Sequence, residues 1–394
     1  MLATTLAHIG LPQAAPASLG FDAARLSGYL DLLRQDMADG LIPGAVVLLA
    51  RHGRIAVFEA LGNLRPVAAT PLPVPMPHDA IFRIRSMTKP VVSVAALRLI
   101  EQGRLTATEP IAQRLPEFAR MAVGHEHRPA SAAATVQDLL RHTAGFTYGF
   151  WGGPLAPLYT GLRAGARDGD NATFARALAA LPLAHEPGSA WHYSHATDLL
   201  GCLVEVVSGQ PLGEYLRRAI FEPLRMHDTG FHVPPEQQHR LADPPAADVG
   251  TGPDADVRSA PRFESAGAGL VSTAADYARF IRMLAEGGAL DGVRVLGRKT
   301  IAWMTADHLG DRPRMDIALP PGYGFGLGVA VRTAAGLAPD PGSIGSYGWS
   351  GSEGTLFVVD PAESLWGLLM VQAPQHNERC WSLFRQSVYA ALAD

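Results

Sequence analysis

The chain has 394 residues, 47% hydrophobic and 18% charged, which is ordinary for a soluble globular enzyme and too long for one typical core. A formal charge of −4 gives no electrostatic footprint for nucleic acid or an anionic membrane. Cys202 and Cys380 form no metal-type spacing and read as reduced core residues, with a disulfide between them as the alternative; with no signal-peptide n-region and no membrane-length apolar run, the sequence reads as cytoplasmic.

From the N-terminus, Leu26, Leu30, Leu33 and Met37 recur at helical spacing, so Asp22–Asp39 is expected to be an amphipathic helix stopped at Gly40. The apolar runs Ala45–Ala50 and Ile55–Ala60 flank Arg51–His52–Gly53–Arg54 and read as a β-hairpin. Five prolines between Pro66 and Pro77 argue against regular structure before a short extended piece, Ile81–Ile84.

That piece delivers RSMTKPVVSVAALRLIEQG, Arg85 to Gly103. The segment is apolar nearly all round from Val91 to Ile100, so it is expected to be a buried helix, with Ser86 as cap and Gly103 as stop. It carries Lys89, one of only two lysines against 31 arginines; the other, Lys299, reads as a solvated surface charge. Arginine does not lose its proton in a protein, whereas lysine does when desolvated. A lysine kept three residues after a serine, on the same helix face, therefore points to a nucleophile and its base.

The chain from Leu105 to about Gly230 reads as mainly helical, with elements at Thr135–Arg141, Thr173–Leu181, Thr197–Ser208 and Pro211–Ile220. Val233–Arg262 is rich in proline and aspartate and reads as a long surface loop, and Ser272–Gly287 as a helix. Tyr323–Arg332, Thr355–Val359 and Leu365–Gln372 read as strands, and Trp381–Leu392 as a closing helix. With strands near both ends and helices between, the fold class expected is α+β. The assembly is a mostly antiparallel sheet built from both termini, with an inserted helical lobe. The lobe boundaries fall at 18–110 with 265–394, and at 111–264, and the site lies where they meet.

Two further stretches carry chemistry. Tyr193, in WHYSHATDLLG, suits acid–base work if a nearby ammonium lowers its pKa. Tyr347-Gly-Trp-Ser-Gly-Ser-Glu-Gly-Thr355 has glycines that let backbone approach a ligand and an N–H placed to complete an oxyanion hole with that of Ser86. No complete G-x-S-x-G elbow occurs. His125-Glu126-His127 and His227-Asp228…His232 lack metallohydrolase spacing and read as polar loop histidines, and His142 as a brace for the HTAGF loop.

S-x-x-K, then Tyr-Ser about a hundred residues on, then a glycine-rich C-terminal strand, resembles the serine β-lactamase and penicillin-binding-protein superfamily. SMTKP, LLRHTAGF, YSHATDLLG, GLVSTAADYARF and GWSGSEGTLFVVDP are similar to its class C-like branch, the family VIII carboxylesterases. The resemblance implies a β-lactamase-like fold and Ser86 as acylated nucleophile, Lys89 as base and Tyr193 as proton relay. It also implies Ser352 as second oxyanion donor, no cofactor and no metal. Trp349–Ser350–Gly351 falls where β-lactamases have Lys-Thr-Gly, so the cation that holds a lactam carboxylate is replaced by an indole. The asparagine of Tyr-x-Asn is His195, which either contacts substrate or orders the Tyr193 loop. Tyr148 and Phe150 are candidate acyl-pocket walls. Together these imply hydrolysis of small, short-chain esters. The rivals are a β-lactamase or D-amino-acid peptidase, an acyltransferase, and a ligand sensor that acylates once. Oligomeric state is not legible in the sequence.

Overall fold

Alternation of large apolar residues on both faces makes Gly44–Arg51 (β1) a strand covered from two sides, and the two-residue turn His52–Gly53 returns it as Arg54–Gly62 (β2). The computed structural model describes residues 2–66, 72–165, 169–245 and 256–394. Five C-terminal strands complete one sheet: Tyr323–Phe325 (β3), Ala330–Arg332 (β4), Tyr347–Ser350 (β5), Leu356–Asp360 (β6) and Leu365–Val371 (β7). The order is β2-β1-β7-β6-β5-β4-β3 and every ladder is antiparallel, so strands from the two chain ends meet where Val47 pairs with Leu369. The α+β fold class holds.

One sheet face, through Ala45, Val47, Leu49, Val358 and Leu369, packs on helices Ala23–Ala38 (α1) and Asn377–Ala390 (α5). Asp22 caps α1 by accepting from the Ala24 and Arg25 N–H groups. The other face, through Val46, Leu48, Phe357 and Leu368, joins the larger core. That core holds helices Thr88–Glu101 (α2), Ala196–Ser208 (α3) and Ala274–Ala285 (α4). Cys202 and Cys380 are buried and unbridged. No helix among the described residues is long and apolar enough to cross a membrane.

Several elements differ from expectation. Tyr323–Arg332 is a tight hairpin (β3, β4) rather than one strand, because Gly326–Gly328 turns the chain; Gly328 has φ +96 and sits where a Cβ would strike Ser93. Residues 271–273 form a strand with Ile81–Arg83, so α4 starts at Ala274, capped by Thr273. The closing helix begins four residues early, at Asn377. The Val233–Arg262 stretch contains a 3₁₀ helix, Pro235–Arg240, and buries Val233, Leu241 and Val257 against Ile81 and Val271; its residues 246–255 lie outside the described ones. Helices Leu2–Ile9 and Ala156–Gly165 were not anticipated.

Glu205, on α3, accepts the Leu212 N–H at 2.8 Å. Burial pushes its carboxyl up from 4.5 to about 7, against that N–H and with help from the charges of Glu264 and Asp170. The folded state therefore holds a proton that the unfolded chain releases, so stability falls as pH rises from about 4.5 to about 7. Glu205→Gln is expected to shrink the drop in Tm between about pH 5 and about pH 8, measured by thermal melts in a pH series.

Candidate active site

Ser86 lies in a 3₁₀ turn, Arg85–Met87, that runs straight into α2. It is thus one turn ahead of the helix and not its cap; Met87 holds the cap position without a side-chain hydrogen bond. The turn is pinned from several sides. Ile84 donates its N–H to Leu270 O at 3.1 Å, Leu270 donates to Thr88 Oγ1 at 3.1 Å, and the Tyr277 hydroxyl donates to Met87 O at 2.9 Å. Residues Thr88 to Leu97 of α2 are all buried, which explains why its sequence is apolar nearly all round from Val91.

Lys89, 1% exposed, donates to Ser86 Oγ at 3.2 Å and to the Gly267 carbonyl at 2.7 Å. Its Nζ stands 4.5 Å from the centre of the Tyr193 ring and 5.6 Å from that of Tyr148. The Gly267 N–H in turn donates to Asp198 Oδ1 at 2.8 Å, and Asp198 Oδ2 contacts His195 Nδ1 at 2.8 Å. Burial raises the Asp198 carboxyl. The hydrogen bond and charge of His195, the charge of Lys89 and the Gly267 N–H outweigh it and bring it to about 2. A buried carboxylate thus meets the buried amine through one intervening residue, Gly267.

Tyr193 hydrogen-bonds the Ser86 hydroxyl, and its oxygen accepts from Trp349 Nε1 at 3.3 Å. Its backbone is fixed by Asp316, which accepts the Tyr193 N–H at 2.7 Å, and by Trp151, whose indole donates to Tyr193 O at 2.8 Å. The expected lowering of the phenol pKa is not found. Burial pushes it well up, overriding the Ser86 and Trp349 hydrogen bonds, so the phenol is neutral. His142 is also neutral, held well below its ordinary value by burial and the Lys89 charge. It lies between Ser194 Oγ and Thr197 Oγ1, both at 3.3 Å, as a brace.

The third segment comes from the end of β5. Its approach to the Ser86 turn requires glycine at position 351, where a Cβ would collide with Thr355 Oγ1 and Ile84 O. Ser352 lines the cavity. Its carbonyl is held by Asn377 Nδ2 at 2.8 Å, and among the described residues its N–H donates to no protein acceptor. Arg85 and Glu353, the neighbours of Ser86 and Ser352, form a buried ion pair at 2.6 Å that ties the two segments together. Arg85 adopts φ +47, a conformation that costs a non-glycine residue roughly 1 kcal/mol and that this pair helps to hold.

These residues open onto a cavity of about 780 Å³. Ser86, Tyr148, Phe150, Tyr193, Trp349 and Ser352 line it. His195 does not. It is buried behind Tyr148, with ring centres 4.3 Å apart, so its contact with Asp198 orders the loop and the substrate-contact option is withdrawn. Sequence reasoning missed Asp198, Asp316, Trp151 and the Arg85–Glu353 pair. Asp198 stands in the quoted WHYSHATDLLG, but its partner Gly267 is 69 residues away.

A hydroxyl in contact with a buried amine and a neutral phenol, beside an unused backbone N–H, is equipment for acyl transfer, and this fold and site define a serine hydrolase. The family model described as Beta-lactamase matches residues 31–380, and the chain belongs to that family, within the serine β-lactamase and penicillin-binding-protein superfamily. It is 36% identical to Protein Rv1367c of Mycobacterium tuberculosis over 88% of this chain and 90% of that one. It is 33% identical to Esterase EstB of Burkholderia gladioli, over 90% and 92%. Among solved structures it is similar to EstCE1, described as a hydrolase with promiscuous acyltransferase activity. That match has TM-score 0.80 and 28% identity, covering 93% of this chain and 98% of that one.

Proposed function

We propose that this chain is a cofactor-free carboxylesterase working through an acyl-enzyme on Ser86. The observation that carries the reading is the 3.2 Å contact between Lys89 Nζ and Ser86 Oγ at the cavity wall. Lys89 in its neutral form takes the Ser86 proton, and Oγ attacks the ester carbonyl. The oxyanion forms against the N–H groups of Ser86 and Ser352. Tyr193, neutral in the folded protein, is suited to hand a proton to the departing alkoxide, and activated water then releases the acid. Asp198 acts through Gly267, holding its N–H so that its carbonyl stays aimed at Lys89.

Ester rather than lactam chemistry is supported by Trp349, which by the motif resemblance takes the place of a lactamase's carboxylate-binding lysine, and by the names of EstB and EstCE1. Two lobes, 18–110 with 265–394 and 111–264, are part of this reading. Tyr148 and Tyr193 come from the second, and Ser86, Trp349 and Ser352 from the first. With purified protein, kcat/KM for p-nitrophenyl butyrate is expected to exceed that for nitrocefin by at least about 100-fold. Comparable rates, or faster nitrocefin turnover, would replace the esterase reading with a β-lactamase one.

A further inference from the structure

The cavity wall away from Ser86 is built by β3, β4 and the Asp340 loop on one side and by α5 on the other. Asp340 there serves two guanidinium groups. Its Oδ1 accepts from Arg332 Nη1 at 3.0 Å and from the Tyr323 hydroxyl at 2.8 Å. Arg332, 2% exposed, also bonds Asp340 O at 2.7 Å, so its charge already matches that carboxylate. Arg385, on α5, reaches Asp340 Oδ2 with Nη1 alone, at 3.3 Å, and lies 5.8 Å from the Tyr323 ring centre. Two cations share one anion, leaving one positive charge in excess within this cluster.

Arg385 carries that excess. Its side chain is 20% exposed and faces the cavity, and among the described residues its Nε and Nη2 donate to no protein group. Glu378 also lines the cavity, but it is exposed and two helical turns nearer the α5 N-terminus, roughly 10 Å along the axis. Beside Ser86 the electrostatics differ. Arg85 is occupied by Glu353, Lys89 is buried and donates to Ser86 Oγ and the Gly267 carbonyl, and Trp349 is neutral. A carboxylate adjacent to the scissile bond meets an engaged cation, whereas one at the far wall meets guanidinium N–H groups ready to bind it. The volume, about 780 Å³, is well above what a short acyl chain fills and lies within the range of drug-sized ligands.

Resting on the esterase reading, we propose that Arg385 forms a subsite for a carboxylate carried on the substrate remote from the ester bond. The substrate class is then a mono-ester that keeps a free acid at its other end. Two arms distinguish which half bears the acid. One compares p-nitrophenyl hemiesters of suberic and sebacic acids with the corresponding p-nitrophenyl methyl diesters. The other compares the butyrate ester of 6-hydroxyhexanoic acid with that of its methyl ester, followed by chromatography.

In one arm the anionic ester is expected to show kcat/KM about tenfold or more above its neutral counterpart, chiefly through KM, with the advantage shrinking as salt is added. Arg385→Gln is expected to bring that ratio to within about twofold of unity, while Arg385→Lys keeps part of it. Asp340 retains Arg332 in both variants, so no buried charge is orphaned. Binding of the same ester pairs to Ser86→Ala by calorimetry reads the subsite without turnover. No anionic preference in rate or binding in either arm, or an equal loss for both esters in Arg385→Gln, overturns the proposal. Hydrolysis persisting in Ser86→Ala overturns the catalytic reading instead, and the anionic-to-neutral binding ratio still decides the subsite.

Discussion

Ser86→Ala is expected to lower turnover of p-nitrophenyl butyrate by roughly 10⁴-fold or more, because no other group replaces the nucleophile of a covalent mechanism. Its effect on stability is expected to stay within about 1 kcal/mol. Ser86 is only half-buried, lines the cavity and caps no helix, and Lys89 keeps the Gly267 carbonyl at 2.7 Å when the hydroxyl is gone. Circular dichroism and a thermal melt, run beside the assay, separate lost chemistry from lost fold. A variant that keeps more than about 1% of the activity is incompatible with Ser86 as nucleophile.

The second large effect concerns the amine. Lys89→Arg makes the positive charge permanent and keeps a donor to Gly267 O, yet a guanidinium does not accept the serine proton, so a loss of roughly 10³-fold or more in kcat is expected. Because Lys89 is 1% exposed, the bulkier arginine also strains the packing. Lys89→Met, close to lysine in length and uncharged, controls for that strain and is expected to be equally inactive. Substantial kcat in either variant, with melts showing a folded protein, removes Lys89 from the proton path.

Elements whose local chemistry agrees with their tertiary role were legible in advance. The β1–β2 hairpin announces itself through alternation and a His-Gly turn, and α2 through a nearly all-apolar run bounded by Ser86 and Gly103. The contact between Ser86 and Lys89 was legible because a helix places residues three apart side by side, and lysine is scarce here. The β3–β4 hairpin was not, since YGFGLGVAVR keeps its apolar alternation through the turn and no proline, asparagine or aspartate marks the reversal. The first turn of α5, Asn-Glu-Arg, is polar and hides the helix start. The raised Tyr193 pKa depends on how completely the ring is enclosed, and local sequence does not encode that. Arg85 and Glu353 are 268 residues apart, and only the fold makes them neighbours. His195 was weighed from its position beside Tyr193; the rings packed around it, Tyr148, Tyr159 and Phe174, come from three separate segments.

The central claim is that a covalent bond forms at one hydroxyl. Treating the wild-type protein with a p-nitrophenyl alkylphosphonate, then mapping the digest by mass spectrometry, reads that bond directly. The account predicts one phosphonyl adduct, on the peptide carrying Ser86, appearing in step with loss of esterase activity. An adduct on Ser350 or Ser352 instead, or inactivation with Ser86 unmodified, would contradict it.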